Sequence, residues 1–470
     1  MFSRNLARVW ILATSILLLC CVQAGATRLD PAEFEFHQHF YTILQNMLDN
    51  HWRDEGGPNG GLWLNRDADP EVYYGKGDGS LFGTELLYML GLDEEISDEE
   101  LPLPKTELVH RANRTVDHII RIYRNLFVYL SNPDRYYLEV EELGTALPGL
   151  VFGLQNYTGE LNAGFSFNGN LSLILSLFNP YARIEYEGNL LGESDLGYVG
   201  ALGMTAYYDF VFARIAGEGG AGFLAAQYGF SQIGSAERYK VVEQEPGHEG
   251  HLYYLHSPEL IAIDAYANPM MLMALAMAYQ FSGKAEFLDQ AIGLADALHD
   301  HLWDHGSHSG YFYDEYWRYG EIHLAPNNCV VMGLLHLYDA YGDQEGSRIY
   351  LDRARNAIQG VLGRLYSDPL RVCLHDDVAW VDPTYYCTGC NLHLLRNIYE
   401  FNRLVQVGPR GPLAQPFPVL CGQLARPEDP LRSRLMSLLV VLLLPVLVTR
   451  ALRASGKRRR EAIPHRPWPR

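Results

Sequence analysis

Basic residues are in short supply in this chain. Its 37 lysines and arginines face 56 aspartates and glutamates, a net charge of −19. Ten of the basic residues fall between Leu431 and Arg470 beside one acid, Glu461, which leaves everything before them at −28. So acidic a body repels phosphate backbones and excludes nucleic acid as a partner. Low-complexity tracts and a period-three glycine pattern are missing. With 48% apolar and 12% aromatic residues, the composition excludes a disordered chain and a collagen-like fibre. Long apolar runs are confined to the two ends.

Both terminal runs read as targeting segments. Arg4 and Arg8 precede an apolar stretch from Val9 to Val22, and Ala24-Gly25-Ala26 fits the small-x-small rule for signal cleavage. Residues 1–26 are therefore expected to be a signal peptide, with an uncleaved anchor as the alternative. Leu435 to Val448 is apolar apart from Ser437 and Pro445, somewhat short of the about 20 residues of a typical span. Snorkelling arginines at its ends make a thin transmembrane helix over 435–452 feasible. Lys457-Arg458-Arg459-Arg460 then gives residues 453–470 the basic character of a cytoplasmic tail. An amphipathic or buried helix is the other reading of this segment. Residues 408–434, rich in proline and glycine, read as a juxtamembrane linker. The expectation is a single-pass membrane protein with its body (27–407) outside the cytosol, at a cell surface, in a periplasm or in a secretory lumen. Asn113, Asn156 and Asn170 stand in glycosylation triplets.

The body repeats itself. Phe287-Leu288-Asp289-Gln290-Ala291 returns as Tyr350-Leu351-Asp352-Arg353-Ala354 at an offset of 63. The same offset maps Trp303 on Tyr366, Asp314 on Asp377 and Trp317 on Trp380. Tyr279 to Gly283 returns as Tyr338 to Gly342 at an offset of 59. A fainter copy runs from Leu48 through Trp63. Such repetition indicates a stack or ring of supersecondary units. Met270 to Tyr279 is continuously apolar, as a helix buried on all sides requires. Ala285 to Leu302 places Phe287, Leu288, Ala291, Leu294, Ala295, Leu298 and Leu302 at helical spacing, as an amphipathic outer helix requires. A return loop rich in glycine and aromatics follows. The mature chain opens on an outer-type helix (31–52) and ends on an inner-type helix (391–404), so the two should meet and close a ring.

These phrases resemble the six-hairpin glycosidase superfamily: an apolar inner helix, a turn, Phe/Tyr-Leu-Asp-x-Ala, then Leu-Trp-Asp with a Gly-aromatic-aromatic-Asp tail. They stand at 270–317 and 330–380, and more faintly at 41–67. The resemblance implies an all-α fold, an (α/α)6 toroid of helical hairpins, with a possible small β insertion around 160–190. It also implies a glycan-acting enzyme, although no individual family is assignable.

In such a ring the loops entering the inner helices line a central funnel, with the positive ends of the helix dipoles at its rim. Glycoside hydrolysis needs a protonated carboxyl and an ionised one. His375-Asp376-Asp377 offers adjacent acids, similar to the catalytic segments of some six-hairpin mannanases. Asp264, flanked by Ile263 and Ala265, offers a poorly solvated carboxyl. Asp264 or Asp376 is the candidate acid and Asp377 the candidate base, for inverting hydrolysis of a carbohydrate. For Asp377 and Asp264 a structural cap is the competing role. Tyr266, Asn268, His323, Asn328, Trp317, Trp380 and Tyr385 are the candidate substrate-binding residues. His248-Glu249-Gly250-His251 lacks the spacing of a helical metal motif and reads as a solvated loop. His248, His251 and His323 also support the alternative of a sugar epimerase or lyase. A glycan-binding protein without catalysis is the third possibility.

Five cysteines remain after signal removal: Cys329, Cys373, Cys387, Cys390 and Cys421. Disulfides, free thiols and a zinc set of Cys373, His375, Cys387 and Cys390 are all open readings. No cofactor is otherwise expected.

Overall fold

The structure, a computed structural model, describes residues 29, 33–54, 61–63, 77–93, 96–115, 197–216, 220–248, 250–255, 263–306, 310–313, 322–376 and 386–414. Each repeat is an outer helix, a short β-hairpin and an inner helix. The outer helices are α1 (His37–Asn46, continued by a π turn Met47–His51), α4 (Gly220–Ala236), α6 (Ala285–Leu302) and α8 (Arg348–Leu365). The inner helices are α2 (Gly77–Leu92), α3 (Gly197–Ala216), α5 (Ala267–Ser282), α7 (Leu324–Tyr341) and α9 (Thr388–Gln406). A further helical stretch covers 105–115.

The residue pattern explains the two helix types. Every residue of α5 from Ala267 to Phe281 is buried, as its unbroken apolar run requires. In α6 all seven residues at helical spacing from Phe287 to Leu302 are buried. The turn between α5 and α6 ends on Gly283 at φ 65°, whose N–H donates to the Tyr279 carbonyl at 2.8 Å. Its repeat counterpart Gly342 has φ 76° and donates to the Tyr338 carbonyl at 3.1 Å. Both positions need the left-handed backbone that glycine adopts freely.

The inner helices form successive neighbours in the order α3, α5, α7, α9, α2. The first outer element closes against the last inner one, as expected from the helix types at the two ends. Asn402 on α9 accepts the Glu35 N–H at 2.7 Å and donates to the Glu35 carbonyl at 3.2 Å. Phe34 packs edge-on against Tyr399 with ring centroids 6.1 Å apart. At the other end of the same seam, His51 is held at both ring nitrogens, by Tyr386 Oη at 2.9 Å and Thr388 Oγ1 at 3.0 Å. Residues 116–196, where another hairpin and the expected β insertion around 160–190 would fall, lie outside the described residues.

The return loops are more regular than an all-α reading expects. They fold as antiparallel hairpins: β1 (Trp52–Asp54) with β2 (Gly61–Trp63), β3 (Lys240–Val242) with β4 (Leu252–Tyr254), and β5 (Tyr366–Ser367) with β6 (Val372–Cys373). In the α6–α7 unit the hairpin shrinks to a single bridge between Trp303 and Tyr311. Strands this short cannot bury themselves, and asparagines in the first turn of the inner helices hold three of these return loops. Asn268 accepts the Tyr254 N–H at 2.8 Å and donates to the Tyr254 carbonyl at 2.9 Å. Asn327 makes the same pair with Tyr311 at 2.8 and 2.9 Å, and Asn391 with Cys373 at 2.8 and 2.9 Å. All three are fully buried.

Along the axis, polar side chains of the inner helices meet in layers. Arg396 of α9 bonds Glu85 of α2 at 3.2 Å and approaches His336 of α7 at 3.4 Å; His336 in turn meets Tyr207 Oη of α3 at 3.1 Å. Nearer the C-terminal ends, Arg214 bonds Gln280 at 2.6 Å, Gln280 bonds Asp339 at 3.2 Å, and Arg403 joins Asp339 at 3.1 Å to Glu400 at 2.6 Å. Segment 408–413 docks under this layer. The Gly411 N–H donates to the Asp339 carbonyl at 2.8 Å and the Leu413 N–H to the Gln280 carbonyl at 2.9 Å. Its first residues are thus part of the body, and the expected 407/408 boundary moves to about 414. A fragment ending at 407 should melt below one ending at 414, because two carbonyls at helix ends lose their donors, worth about 0.5–1.5 kcal/mol each. Equal melting temperatures for the two fragments would contradict the docking.

Several sequence expectations need adjustment. Asn113 lies in the helical stretch 105–115, 9% exposed, and its amide oxygen accepts from Tyr88 Oη at 2.7 Å. A glycan has no room there. Asn156 and Asn170 lie outside the described residues, as do 1–26, the remainder of the linker, 435–452 and 453–470. Among the described residues no helix is long and apolar enough to cross a membrane.

The layers set the pH response. Burial, reinforced by the charge of Arg396, holds His336 and His393 well below the usual 6.5. The unfolded chain takes up these protons below about pH 6.5 and the fold does not, so stability falls as pH drops through that value. Burial alone would raise Glu400, but Arg403, Arg410 and Arg396 outweigh it and hold Glu400 far below 4.5. Its contribution is complete above that value and is lost as pH falls further. The melting temperature should therefore decline in two stages, and His393→Phe, which keeps the stack on Phe82, should weaken the first. An unchanged first stage in that variant would show that His393 does not contribute.

Candidate functional site

The rim at the inner-helix N-termini gathers the titratable side chains. Its centre is built from two neighbouring repeats. His323, the residue before α7, bridges Asp376 in an antiparallel backbone pair, and the Leu324 N–H donates to the His375 carbonyl at 2.8 Å. Asn327 reaches back to the His323 carbonyl at 2.8 Å, and Asn391 fixes Cys373 two residues before His375. The backbones under His323, His375 and Asp376 are thus tied to the helix starts.

The side chains then converge. His375 Nδ1 lies 3.0 Å from Asp376 Oδ2, with the carboxylate 8% and the imidazole 31% exposed. The His323 and His375 rings stand edge to face at 5.9 Å, and one ligand atom from each of His323, His375 and Asp376 falls within 4.8 Å of the others. Tyr313 lies 6.0 Å from His323, and Tyr266 lies 6.4 Å from Tyr313. The rim therefore carries a continuous arc: Tyr266, Tyr313, His323, His375 and Asp376. A carboxylate beside an imidazole can pass a proton to or from a bound hydroxyl or glycosidic oxygen, and the phenols can bind sugar hydroxyls. Separately, the layer of Glu85, Arg396, His336 and Tyr207 crosses from α2 to α3.

The remaining candidates separate. Asp264 is 2% exposed, and its Oδ1 accepts the N–H groups of Tyr266 at 2.8 Å and Ala267 at 2.5 Å. That is the geometry of a helix cap at the start of α5. Asn268 is the hairpin clamp described above. Asn328 is 1% exposed and donates to the Cys390 carbonyl at 2.8 Å, stitching α7 to α9. Buried as they are, Asn268 and Asn328 present no surface to a substrate. Asp377, Trp317, Trp380 and Tyr385 lie outside the described residues, as does Asp314. His248 and His251 form a separate cluster and do not join His323, so the three-histidine set of the epimerase alternative is divided. Tyr313, the last aromatic of the Gly-aromatic-aromatic phrase, was not among the candidates although its motif was visible.

The four residues of the zinc reading do not come together among the described residues. Cys373 and Cys387 are free thiols. The ligand atoms of Cys373, His375, Cys387 and Cys390 do not gather within 4.8 Å. Burial pushes the Cys373 thiol far up. Cys387 Sγ instead accepts the Cys390 N–H at 3.1 Å, capping α9.

No protein-family profile and no curated protein matches this sequence. Solved structures of similar course include an unsaturated glucuronyl hydrolase specific for heparin, at 11% identity over 78% of this chain and 95% of that one, with a TM-score of 0.45. A variant of the unsaturated glucuronyl hydrolase from Streptococcus agalactiae, complexed with dGlcA-GalNAc6S, is 11% identical over 80% and 93%, with a TM-score of 0.48. A family 76 glycoside hydrolase from a bovine Bacteroides thetaiotaomicron strain is 10% identical over 80% and 79%, again with a TM-score of 0.48. At these scores and identities the likeness carries no argument about fold, activity, substrate or site.

Proposed function

We propose that this protein is a glycan-acting enzyme, a membrane-tethered extracytoplasmic glycoside hydrolase whose reacting carboxylate is Asp376. The observation that supports this most is the convergence of Asp376 with His375 and His323 at the rim, beside Tyr313. Asp376 is mostly shielded from water and hydrogen-bonded to an imidazole, so a proton can move between them as a glycosidic bond breaks. Asp377, next in the chain, is the proposed partner that activates water for inverting hydrolysis, and Trp317, Trp380 and Tyr385 are proposed sugar contacts. With Asp264 engaged as a cap, the acid role passes to Asp376.

The two imidazoles and Tyr313 favour a second reading, a sugar epimerase or lyase in which His323 or His375 withdraws a proton from carbon. Product analysis separates the two: hydrolysis yields new reducing ends, elimination yields an unsaturated sugar, and epimerisation changes neither chain length nor unsaturation.

On a substrate found by screening oligosaccharides, Asp376→Asn should lower kcat by about 10²–10⁴-fold, because the amide keeps the shape but cannot cycle a proton. Its melting temperature should stay close to that of the wild type. Asp264→Asn should show the opposite pattern, losing about 0.5–2 kcal/mol of stability with turnover per folded molecule retained. Full turnover in Asp376→Asn would remove Asp376 from the chemistry, and loss of turnover in a folded Asp264→Asn would restore Asp264 as a reacting group.

A further inference from the structure

A second cluster lies away from His323 and Asp376, where the β3–β4 hairpin meets the end of α6. The hairpin tip contributes Glu243, His248 and His251, and the last turn of α6 contributes Asp300 and His301. The tip is folded by its own backbone. The Glu243 N–H donates to the His251 carbonyl at 3.0 Å, and the His251 N–H to the His248 carbonyl at 3.0 Å. Gly250, at φ 92°, brings the chain so close to α6 that a side chain on Gly293 would meet the Gly250 carbonyl. The hairpin is therefore seated on α6 with its histidines directed at the helix end.

Two imidazole nitrogens and two carboxylate oxygens then lie close together, His248 being shared by two overlapping sets, one with Glu243 and His301 and one with His251 and Asp300. His248 Nδ1 and His251 Nδ1 are 3.2 Å apart. Glu243 Oε2 lies 3.3 Å from the first and 3.6 Å from the second. Asp300 Oδ2 lies 3.8 Å from the first and 3.4 Å from the second. Zinc bound to imidazole and carboxylate at about 2.0–2.1 Å in a tetrahedron requires its ligands to be about 3.3–3.4 Å apart. The five separations just given lie between 3.2 and 3.8 Å, near the edge length of that figure.

A network of hydrogen bonds alone does not account for the arrangement. Glu243 Oε2 is buried and makes no hydrogen bond, although two imidazole nitrogens stand beside it. Leaving a buried carboxylate oxygen unsatisfied costs free energy that a cation recovers. The other oxygen, Oε1, is held by His301 Nε2 at 2.5 Å, which fixes the carboxylate with Oε2 turned toward the two histidines. Metal sites commonly orient their ligands through such a partner. Two carboxylates and two neutral imidazoles also balance the charge of one divalent ion. Imidazole donors select a transition metal over magnesium or calcium.

We propose that Glu243, His248, His251 and Asp300 bind a zinc ion, oriented by His301, and that the ion fastens the β3–β4 hairpin to the end of α6. The role is structural, and it stands or falls independently of the reaction at Asp376.

The test uses the full chain, stripped with a chelator and titrated with zinc chloride alone or with cobalt chloride as a spectroscopic probe. One equivalent of zinc should bind and raise the melting temperature, and cobalt should give the intense visible band of tetrahedral coordination. His301→Gln should weaken binding by about 10–100-fold, the range for a residue that orients a ligand. His251→Gln and Asp300→Asn should weaken it further, and His375→Gln should leave it unchanged. Circular dichroism confirms that each variant is folded, and the wild-type titration stands without them. Absence of a zinc equivalent, a weak octahedral cobalt spectrum, or binding that is lost with His375 and kept without His251 would each overturn the proposal.

Discussion

A two- or three-residue strand carries backbone N–H and C=O groups that it cannot satisfy when it is pressed against a helical core. In three units one asparagine amide resolves the problem. Its oxygen takes the N–H and its nitrogen gives to the C=O of one hairpin residue, as a neighbouring strand would. Asn268, Asn327 and Asn391 do this for Tyr254, Tyr311 and Cys373. Asn327 and Asn391 have a second duty, donating to the carbonyls of His323 and Cys387 four residues earlier. The hairpin, the helix start and the residue before the helix are thereby locked together. The side chains at the rim inherit their positions from these locks.

The axis shows the complementary constraint. Helices buried on all sides leave their polar residues only one another as partners. Arg396 is 2% exposed and Glu85 10% at the side chain, so each neutralises the other in a place water does not reach. Removing one partner of such a pair commonly costs about 3–5 kcal/mol, because the other is left charged and buried.

Much of this was legible in the sequence, and the failures have physical causes. The repeat at Tyr279 to Gly283 and Tyr338 to Gly342 is a glycine-ended helix turn in both units, and α6 runs from Ala285 to Leu302 as its periodicity requires. The offset of 59 that relates those turns also relates Asn268 to Asn327. A polar residue in an apolar run was nevertheless read as a ligand, because nothing in the sequence shows a hairpin backbone 14 or 16 residues away in need of a partner. Adjacent asparagines at 327 and 328 face different neighbours, one the hairpin and one α9. The burial of Asp264 was anticipated from Ile263 and Ala265, whereas its backbone partners two and three residues on made the cap. Long-range pairs were out of reach: Glu85 and Arg396 are 311 residues apart. His248 and His251 fail the spacing of a helical metal motif and read as a solvated loop; on a tight turn the same spacing brings two imidazoles together.

The central claim is that the asparagine clamps hold the rim in place, and amide hydrogen exchange on Asn391→Ala tests it most directly. The account predicts that amides from Tyr366 to Asp376 lose protection while those in the middle of α9 and throughout α5 keep it. Unchanged protection over 366–376, in a variant that lacks the Cys373 clamp, would show that the hairpin is held by something else.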